Sequence, residues 1–419
     1  MRFKVFKNTV LLFVLVMISC GNFYKEKTED KRQETEEQKP NIQNLDPIVG
    51  ANQTDAYLSL LKGKRVGVVA NQTSVIFKKN PKSKTQNPNY THLVDSLIAL
   101  KINVKNVFAP EHGFRGTADA GEHIKDGIDT KTGVPIISLY GDNKKPKPEQ
   151  LKNIDIVVFD IQDVGARFYT YISSLHYVME ACAEANIPVL ILDRPNPNGH
   201  YIDGPVLEME HKSFVGMHPI PVVHGMTIGE YATMINGEKW LKNGVQCELK
   251  VIPIKHYTHQ TSYSLPIKPS PNLPNDTSIN LYPSLCFFEG TNVSVGRGTD
   301  KQFQVFGSPF LDNSFFKYSF TPKPNEGAKY PPHQDKICFG MNLSAEESLS
   351  ELHLNWLISA YKNTKSKTDF FNSFFTKLAG TKKLQQQIEA GLTEAVIKDS
   401  WQQGLETFKK TRNKYLIYK

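Results

Sequence analysis

The stretch FAPEHGFRG, at residues 108–116, places a carboxylate, an imidazole and a guanidinium directly after an apolar run. Glu111, His112 and Arg115 follow VKNVFA and a proline, and two glycines in the stretch allow a tight turn. A carboxyl group at the end of a buried strand can act as a general acid, since partial enclosure favours its protonated form. The stretch therefore predicts either a polar loop or the edge of a pocket with Glu111 as its acid, and it leaves the role of His112 open.

Three other apolar runs also end in polar residues. RVGVVA, IDIVVFD and IPVLILD lead into amides, carboxylates, arginines and a tyrosine, and the candidate ligand-binding residues among them are Asn71, Gln72, Asp163, Arg167, Tyr169, Asp193, Arg194 and Asn196. Ligands of open parallel sheets bind outside the carboxyl ends of the strands. Four polar strand ends on one rim favour a hydroxyl-rich ligand such as a sugar.

Cleavage of a glycosidic bond typically needs a second carboxylate beside the acid. Glu122, Asp163 and Glu289 are the candidates, and the sequence does not decide between them. A metal-dependent hydrolase is a second interpretation, because four possible ligands stand on neighbouring strand ends: Glu111, His112, Asp160 and Asp163.

The elements that must position these residues alternate between strand and helix from residue 55 to about 240. The predicted strands are 65–70, 103–109, 135–140, 154–160 and 187–193, and the predicted helices are 91–101, 171–186 and 227–241. The strands are continuously apolar, as expected when both faces of a sheet are covered. This pattern predicts an α/β fold with a doubly wound, mostly parallel sheet.

A proline-dense segment, SLPIKPSPNLPND, separates this part from one that is richer in aromatic residues and ends in helical patterns. We therefore predict a catalytic domain over 46–265 and a smaller α+β domain over 266–419 that completes the cleft. Ser344, with glutamates following it, predicts the start of a helix. Neither GxGxxG nor GxxxxGK[ST] is present, so no nucleotide cofactor is expected.

The first 20 residues have the order of an export signal: positive charges, an apolar run of about a dozen residues, and then MISC. MISC resembles a lipobox, so Cys20 is expected to carry lipid and 21–45, which is charged and almost free of apolar residues, to be a tether. We thus expect an envelope protein, most simply on the periplasmic side, although surface display is an alternative.

The net charge and the cysteines argue against a nucleic-acid-binding protein and against a disulfide-rich or zinc-binding protein. The net charge of +8 is spread over short clusters such as 78–84 and 142–150, which indicate solvated turns rather than a nucleic-acid surface. The other four cysteines follow no disulfide or zinc spacing and are expected to be small buried residues; they are Cys182, Cys247, Cys286 and Cys338. No metal site is predicted under the leading interpretation.

Several motifs, in order, resemble those of the bacterial exo-β-N-acetylmuramidases, glycoside hydrolases of the NamZ type. They are NQTS, PEHGFRG, DAGE, DIQDVGARFYTY, LDRPNPN, PSPNLPN, YPSLCFFEGTNVSVGRGT and FGSPF. The resemblance runs from about residue 58 to the C-terminus. It implies a Rossmann-like domain, a smaller second domain, a cleft between them and no cofactor.

The resemblance also implies release of N-acetylmuramic acid from the non-reducing ends of peptidoglycan fragments. It assigns the catalytic role to Glu111 and matches Glu122 to a second motif glutamate, while the stereochemical outcome stays open. Further substrate-binding candidates in the matched motifs are Asn272, Glu289, Asn292 and Arg297. Arg297 is the favoured partner of the lactyl carboxylate of muramic acid. A lipid-anchored carbohydrate-binding protein without catalysis remains the alternative.

Overall fold

A mostly parallel sheet forms the centre of the computed structural model, which describes residues 45–78, 89–115 and 126–418. The strands, in chain order, are β1 (Arg65–Ala70), β2 (Val75–Phe77), β3 (Tyr90–His92), β4 (Asn103–Ala109), β5 (Gly127–Ile128), β6 (Pro135–Ser138), β7 (Ile156–Asp160), β8 (Val189–Leu192), β9 (Leu249–Ile252), β10 (Val305–Ser308), β11 (Tyr318–Phe320) and β12 (Cys338–Asn342). All five strands predicted from the apolar runs are present.

The helices lie between and after the strands. They are α1 (Thr54–Leu61), α2 (Leu93–Ala99), α3 (Pro148–Leu151), α4 (Tyr171–Glu184), α5 (Ile228–Gly237), α6 (Asp276–Leu285), α7 (Asn355–Lys362), α8 (Phe375–Ala379), α9 (Lys383–Glu389), α10 (Glu394–Asp399) and α11 (Gln402–Arg412). The predicted start of α5 is confirmed, because Thr227 and Glu230 form a reciprocal capping box.

The large sheet has the strand order β5-β6-β4-β1-β7-β8-β9. Only β5 runs antiparallel to its neighbour, and the six parallel strands, numbered along the chain, lie in the Rossmann order 3-2-1-4-5-6. The order reverses between β1 and β7, so the crevice for a ligand is expected outside the ends of these strands. The predicted fold class is confirmed.

Two hydrophobic layers cover the sheet because neighbouring side chains of a strand point to opposite faces. On β1, Val66 and Val68 pack with residues of α1 and α2 on one side, whereas Val69 packs on the other side. That second layer includes α4 and α5 and continues into the aromatic residues of the C-terminal part, where β10, β12 and β11 form a small antiparallel sheet. The small sheet and its helices are the predicted α+β part.

The prediction that a helix begins at Ser344 is wrong. The segment from 344 to 354 is irregular, and the helix begins only at Asn355. Side chains of distant segments hold the backbone of the irregular stretch: Leu352 N donates to Asp203 Oδ2 at 2.8 Å and His353 N donates to Ser284 Oγ at 3.0 Å. These long-range bonds replace the local ones that a helix would form.

Two further expectations concern the cysteines and the membrane. Cys182, Cys247, Cys286 and Cys338 are free and buried, as predicted. Within 45–78, 89–115 and 126–418, no helix has both the length and the apolar character needed to cross a bilayer.

Candidate active site

The loop after β4 makes a tight reversal that presents Glu111. Gly113 N donates to Pro110 O at 3.0 Å, and both His112 and Gly113 have left-handed backbones, with φ of 69° and 76°. A non-glycine residue in this region is uncommon and costs energy unless its surroundings hold it. The His112 side chain is buried, so its immediate environment fixes the turn.

Two hydroxyl groups from different elements contact the Glu111 carboxylate. Thr170 Oγ1, at the N-terminus of α4, donates to Glu111 Oε2 at 2.8 Å, and the Tyr140 hydroxyl, just after β6, also hydrogen-bonds this carboxylate. Burial, and then the negative charge of Glu111, raise the pKa of Tyr140, so its hydroxyl stays a proton donor. Glu111 is half-buried, which suits a group that must meet both the protein and a ligand.

A single backbone carbonyl gathers several of the predicted residues beside Glu111. Pro269 O accepts hydrogen bonds from Tyr169 OH at 2.8 Å, from Gln72 Nε2 at 3.0 Å and from Tyr171 OH at 3.5 Å. Tyr171 OH also lies 3.4 Å from Glu111 O. The proline-dense segment is thus docked onto the edge of the sheet where the strands end, rather than forming a free connection.

The same segment lines a cleft of about 960 Å³. Gln72 and Tyr90 belong to its wall on the side of the large sheet, and the opposite wall comes from the segments 298–302 and 323–327. Its charged lining residues are Lys268, Asp300, Lys323 and Glu326. A cavity of this size, with a few polar groups and an aromatic ring, can hold a ligand larger than one sugar.

Asn71 and its neighbours build the turn after β1. Asn71 Oδ1 accepts from Thr73 N at 2.9 Å and from Thr73 Oγ1 at 2.6 Å, and Asn71 O lies 2.9 Å from His92 Nε2. Asn71 is fully buried, so it shapes the loop that carries Gln72 to the cleft.

The arginine after β8 is used inside the protein. Arg194 Nε and Nη2 lie 2.6 Å and 2.9 Å from the two carboxylate oxygens of Asp160, and Nη2 also donates to Val75 O. Both side chains are almost completely inaccessible to solvent. Burial raises the pKa of Asp160, and the positive charge of Arg194 opposes that shift. This ion pair ties the ends of β7 and β8 together.

Arg167 is also interior. Its Nη1 donates to Pro205 O and Ile220 O, and its Nη2 donates to Leu378 O and Ala379 O, all at 2.8–2.9 Å. The side chain is fully buried, so it joins the strand-end loop to the C-terminal part instead of facing the cleft.

Asp193 and Asn196 anchor the loop after β8. Asp193 accepts four hydrogen bonds, from Arg194 N, Gly229 N, Thr227 Oγ1 and Tyr418 OH, at 2.6–3.0 Å. Asn196 Nδ2 donates to Met226 O, and its Oδ1 accepts from Asn198 N. Both residues are buried and their hydrogen bonds lie within the protein.

Asp163 lies in the interior under the tyrosines that follow it. Its Oδ2 accepts from Gly165 N at 2.7 Å and lies 3.9 Å from His224 Nε2, whereas Oδ1 has no hydrogen-bond partner. Burial raises the pKa of Asp163 to about 7 and lowers that of His224 to about 3. Asp163 is only 4% exposed, so it faces the core rather than the cleft.

Arg115 stabilises the far end of the Glu111 loop. Its guanidinium contacts Asp129 Oδ2 at 2.7 Å and Asp95 Oδ1 at 3.1 Å, and it lies over the ring of Phe114 at 4.6 Å. These contacts fix the loop to α2 and to the turn after β5.

The glycine-rich loop before β10 carries a second ion pair. Arg297 Nη2 lies 2.6 Å from Glu289 Oε1, and the guanidinium lies 5.4 Å from the ring centre of Phe303. Gly296 and Gly298 flank Arg297 with a φ of 78° each, so they permit a backbone that other residues rarely adopt. Both charged side chains keep a fifth to a quarter of their surface accessible.

Two asparagines of the second part of the chain, Asn272 and Asn292, are also predicted to bind substrate. Asn272 makes one side-chain hydrogen bond, whereas Asn292 is bonded through its backbone. Asn272 Nδ2 donates to Gly327 O at 2.6 Å, next to the cleft, and its Oδ1 is buried without a partner. Asn292 N donates to Phe370 O, while both polar atoms of its side chain are buried without a partner. A buried amide without hydrogen-bond partners is energetically costly.

Sequence reasoning missed Thr170 and Tyr140, the two residues that hold Glu111. Tyr140 ends the run PIISLY, so the strand-end rule applied to the other strands would have included it. Thr170 precedes α4 in DIQDVGARFYTY, and no local pattern distinguishes it from an ordinary helix-start threonine. Glu122 and Cys20 lie outside the described residues.

The metal interpretation finds no support in the geometry of its four candidates. Among the described residues, the one group of acidic and histidine side chains close enough to share an ion is Glu208, Glu210 and His211, which includes none of Glu111, His112, Asp160 and Asp163. Asp160 is committed to its arginine, and Asp163 to a backbone amide.

The comparisons with known proteins agree along almost the whole chain. A family model described as exo-beta-N-acetylmuramidase NamZ, N-terminal, matches residues 66–277, and its C-terminal counterpart matches residues 280–418. The peptidoglycan beta-N-acetylmuramidase NamZ of Bacillus subtilis (strain 168) is 37% identical over 440 residues, which cover 98% of this chain and 100% of that protein.

Two solved structures are also similar. One DUF1343 family protein from Bacteroides fragilis is 48% identical, with a TM-score of 0.80 over 90% of this chain and 99% of that chain. A second DUF1343 family protein from the same organism is 28% identical, with a TM-score of 0.74 over 89% of this chain and 99% of that one.

Proposed function

The chain belongs to the NamZ family of exo-β-N-acetylmuramidases and is thus a glycoside hydrolase; from this premise we propose that it releases N-acetylmuramic acid from the non-reducing ends of peptidoglycan fragments. One observation supports placing the chemistry at Glu111. Glu111 is a half-buried carboxylate at a strand end, and two hydroxyl groups orient it. The carboxylates at the neighbouring strand ends, Asp160, Asp163 and Asp193, are buried.

In this proposal Glu111 protonates the glycosidic oxygen as the bond to the muramic acid breaks. The Thr170 and Tyr140 hydroxyls hold the carboxyl group in one orientation, so the proton is delivered along a fixed direction. The left-handed turn at His112 positions Glu111 from the backbone side, which gives His112 a positioning role.

The second catalytic group is Glu122 on the basis of its sequence motif. The other candidates are less suited, since Asp163 is 4% exposed and Glu289 is paired with Arg297. The 2-acetamido group of the substrate is the alternative nucleophile, because in some glycosidases it replaces a protein nucleophile.

Substrate recognition is assigned to the cleft and to the Arg297 loop. Gln72 lines the cleft and shares the Pro269 carbonyl with Tyr169, which is buried and therefore positions this segment instead of contacting the sugar. Arg297 remains our proposed partner for the lactyl carboxylate of muramic acid, because it is partly accessible and sits in a loop with two glycines. Its Nε and Nη2 atoms face Glu289, and a guanidinium has five N–H donors, so the pair with Glu289 and a bond to the lactyl carboxylate can coexist. Arg297→Ala should then reduce the preference for muramic acid over glucosamine; an unchanged preference would remove this assignment.

We also propose that the protein is exported and anchored in the cell envelope through lipid on Cys20. The charged start, the apolar run and MISC in the first 20 residues support this. Metabolic labelling with a fatty acid, in cells carrying the wild type or Cys20→Ser, tests it; label that persists in the variant would refute lipidation at this residue.

The activity itself is tested with 4-nitrophenyl β-N-acetylmuramide and with a disaccharide that has muramic acid at its non-reducing end. The wild type should release nitrophenol and free N-acetylmuramic acid, and Glu111→Gln should lower kcat by about 100-fold or more. Glu149→Gln, at an exposed carboxylate, is the matched control. Binding without turnover by the wild type would instead indicate a carbohydrate-binding protein, and loss of activity with a chelator would indicate a metal-dependent hydrolase.

A further inference from the structure

The edge of the sheet where the parallel strands begin is opposite to the candidate active site and is rich in lysine. Short connections lead into β1, β4 and β7 at this edge. The exposed lysines on these connections, on the start of β4 and beside α3 are Lys62, Lys64, Lys101, Lys105, Lys147 and Lys152. Strand order and direction, rather than closeness in sequence, bring them together.

Backbone pairing and one hydrogen bond place the segments that carry these lysines side by side, as a strip along this edge. Arg65 pairs with Asn103 across β1 and β4, which places Lys64 beside the start of β4. Arg65 Nη1 donates to Asn153 Oδ1 at 3.1 Å, which brings Lys152 to the same strip. The strip therefore runs from β4 across β1 to β7.

An apolar groove of about 900 Å³ continues the strip beyond β7. Its lining includes Leu151, Ile154 and Ile187, and Lys147 and Lys152 also belong to it. Leu100, directly before Lys101, adds an apolar side chain that is 47% exposed at the other end of the strip. Apolar surface next to lysines is thus present at both ends, and at the groove Glu149 and Glu184 belong to the lining as well.

The carboxylates at this edge neutralise the charge of the six lysines only in part. Asp155 is paired with Arg65, and Glu180 and Glu184 are both paired with Lys145. Within the described part of the chain, none of the six exposed lysines forms an ion pair; the unpaired carboxylates nearby are Glu149 and Glu248. The edge therefore carries an excess of uncompensated positive charge.

We propose that this edge is a docking surface for a bilayer that contains anionic phospholipids. The lysines contact headgroup phosphates, while the groove and Leu100 contact the apolar part of the lipid. Lysines close to an anionic leaflet are attracted to it, and the attraction weakens beyond the Debye length of about 8 Å at physiological salt. A soluble polyanion would pair with the lysines but has no apolar groups to fill the groove. The presence of both lysines and an apolar groove therefore favours a lipid surface.

The docked orientation has a consequence for the enzyme. Strands of about six residues separate the two edges of the sheet by roughly 20 Å, and the loop of Glu111 lies at the end away from the bilayer. The cleft would then open toward a cell-wall substrate. This inference is independent of the catalytic assignment and of lipid on Cys20.

The test uses the chain from residue 42 onward, because the preceding segment contains an apolar run that would itself bind vesicles, and all described residues belong to the compact unit that begins there. Co-sedimentation with phosphatidylglycerol vesicles should show binding that weakens as salt is added, and phosphatidylcholine vesicles should bind little. The variant Lys101→Ala/Lys105→Ala/Lys152→Ala should lower the partition constant by about 100-fold. Circular dichroism and the melting temperature of each variant serve as the folding check.

The matched control is Lys317→Ala/Lys336→Ala/Lys377→Ala, which removes the same charge from exposed lysines of the C-terminal part. It should bind like the wild type. Equal losses in both triple variants would mean that only net charge matters and would overturn the proposal. Binding to dextran sulfate but not to vesicles, or equal binding to both lipids, would overturn it too. Leu100→Ser should lower the binding that remains at high salt, and no effect there would remove the apolar contact from the proposal.

Discussion

The end of β4 and the ends of β7 and β8 carry the same kinds of side chains, yet the protein uses them differently. After β4, Glu111 is half-buried and held by two neutral hydroxyls. After β7 and β8, Asp160 and Asp193 are buried and bonded to an arginine or to four donors. A carboxylate without access to solvent can only hold the loops in place, whereas a half-buried carboxylate can meet a ligand. Polar strand ends therefore belong to two classes, a scaffold and a working edge.

The largest expected effect in the scaffold class comes from breaking the buried ion pair between Arg194 and Asp160. Arg194→Ala leaves Asp160 as an uncompensated buried charge and should lower the free energy of unfolding by about 3–5 kcal/mol. Arg65→Ala removes the similar but exposed pair with Asp155, whose side chains are 43% and 35% accessible, and should leave stability nearly unchanged. Urea denaturation of both variants measures the difference, and equal losses would contradict the distinction between buried and exposed pairs.

Asp163 gives the scaffold a predicted pH dependence. In the folded state its pKa is raised to about 7 by burial, whereas an unfolded aspartate titrates near pH 4. Its protonation therefore stabilises the folded protein fully below about pH 4, and that contribution is lost as the pH rises to about 7. Stability should fall by about 2–4 kcal/mol over this range.

Asp163→Asn isolates this contribution. Asp193, whose pKa burial raises to about 6, titrates in the same range in both proteins, so the difference between wild type and variant belongs to Asp163 and its neighbour His224. The variant should gain stability relative to the wild type between pH 5 and pH 8 in denaturant titrations. A constant difference across that range would show that Asp163 is already ionised at low pH.

The sequence predicted the sheet well because its strands are apolar on both faces. RVGVVA and NVKNVFA became β1 and β4 with the predicted bounds. β1 is buried along most of its length, which leaves a continuous apolar pattern, whereas β4 is buried only over its last three residues, VFA. Ser344 failed as a helix start because distant side chains, such as those of Asp203 and Ser284, determine the backbone there.

The sequence could not distinguish the scaffold strand ends from the working edge, because distant residues determine the contacts there too. Arg167 looks like a ligand-binding residue after a strand, but its partners are carbonyls some 40 to 210 positions further along the chain. Local pattern placed the polar residues at the right edge of the sheet. Long-range contacts decided which of them remain accessible, and such contacts leave no local signal.

Two threonines allow the same hydrogen bond to be removed from each class. Thr227 Oγ1 donates to Asp193 Oδ2 at 2.7 Å and also caps α5. Thr227→Val should therefore lower the free energy of unfolding by about 2 kcal/mol, while kcat per folded molecule stays at the wild-type value. Denaturation and turnover measured on the same sample separate the two effects, and a loss of kcat without a loss of stability would move Asp193 to the working edge.

Thr170→Val removes the corresponding hydrogen bond at the working edge, and we expect a smaller effect than for Thr227→Val. Thr170 Oγ1 donates to Glu111 Oε2 at 2.8 Å, a bond of the same kind, but the carboxylate here is only half-buried and keeps its contact with Tyr140. Removing the bond should lower kcat about fivefold to tenfold through a less well oriented acid, with KM and unfolding little changed. Adding Tyr140→Phe should lower kcat further than the product of the two single effects, because each hydroxyl can still orient the carboxyl group when the other is absent. If Thr170→Val instead destabilised the fold as Thr227→Val does, Glu111 would be one more scaffold carboxylate and the working edge would have to be sought elsewhere.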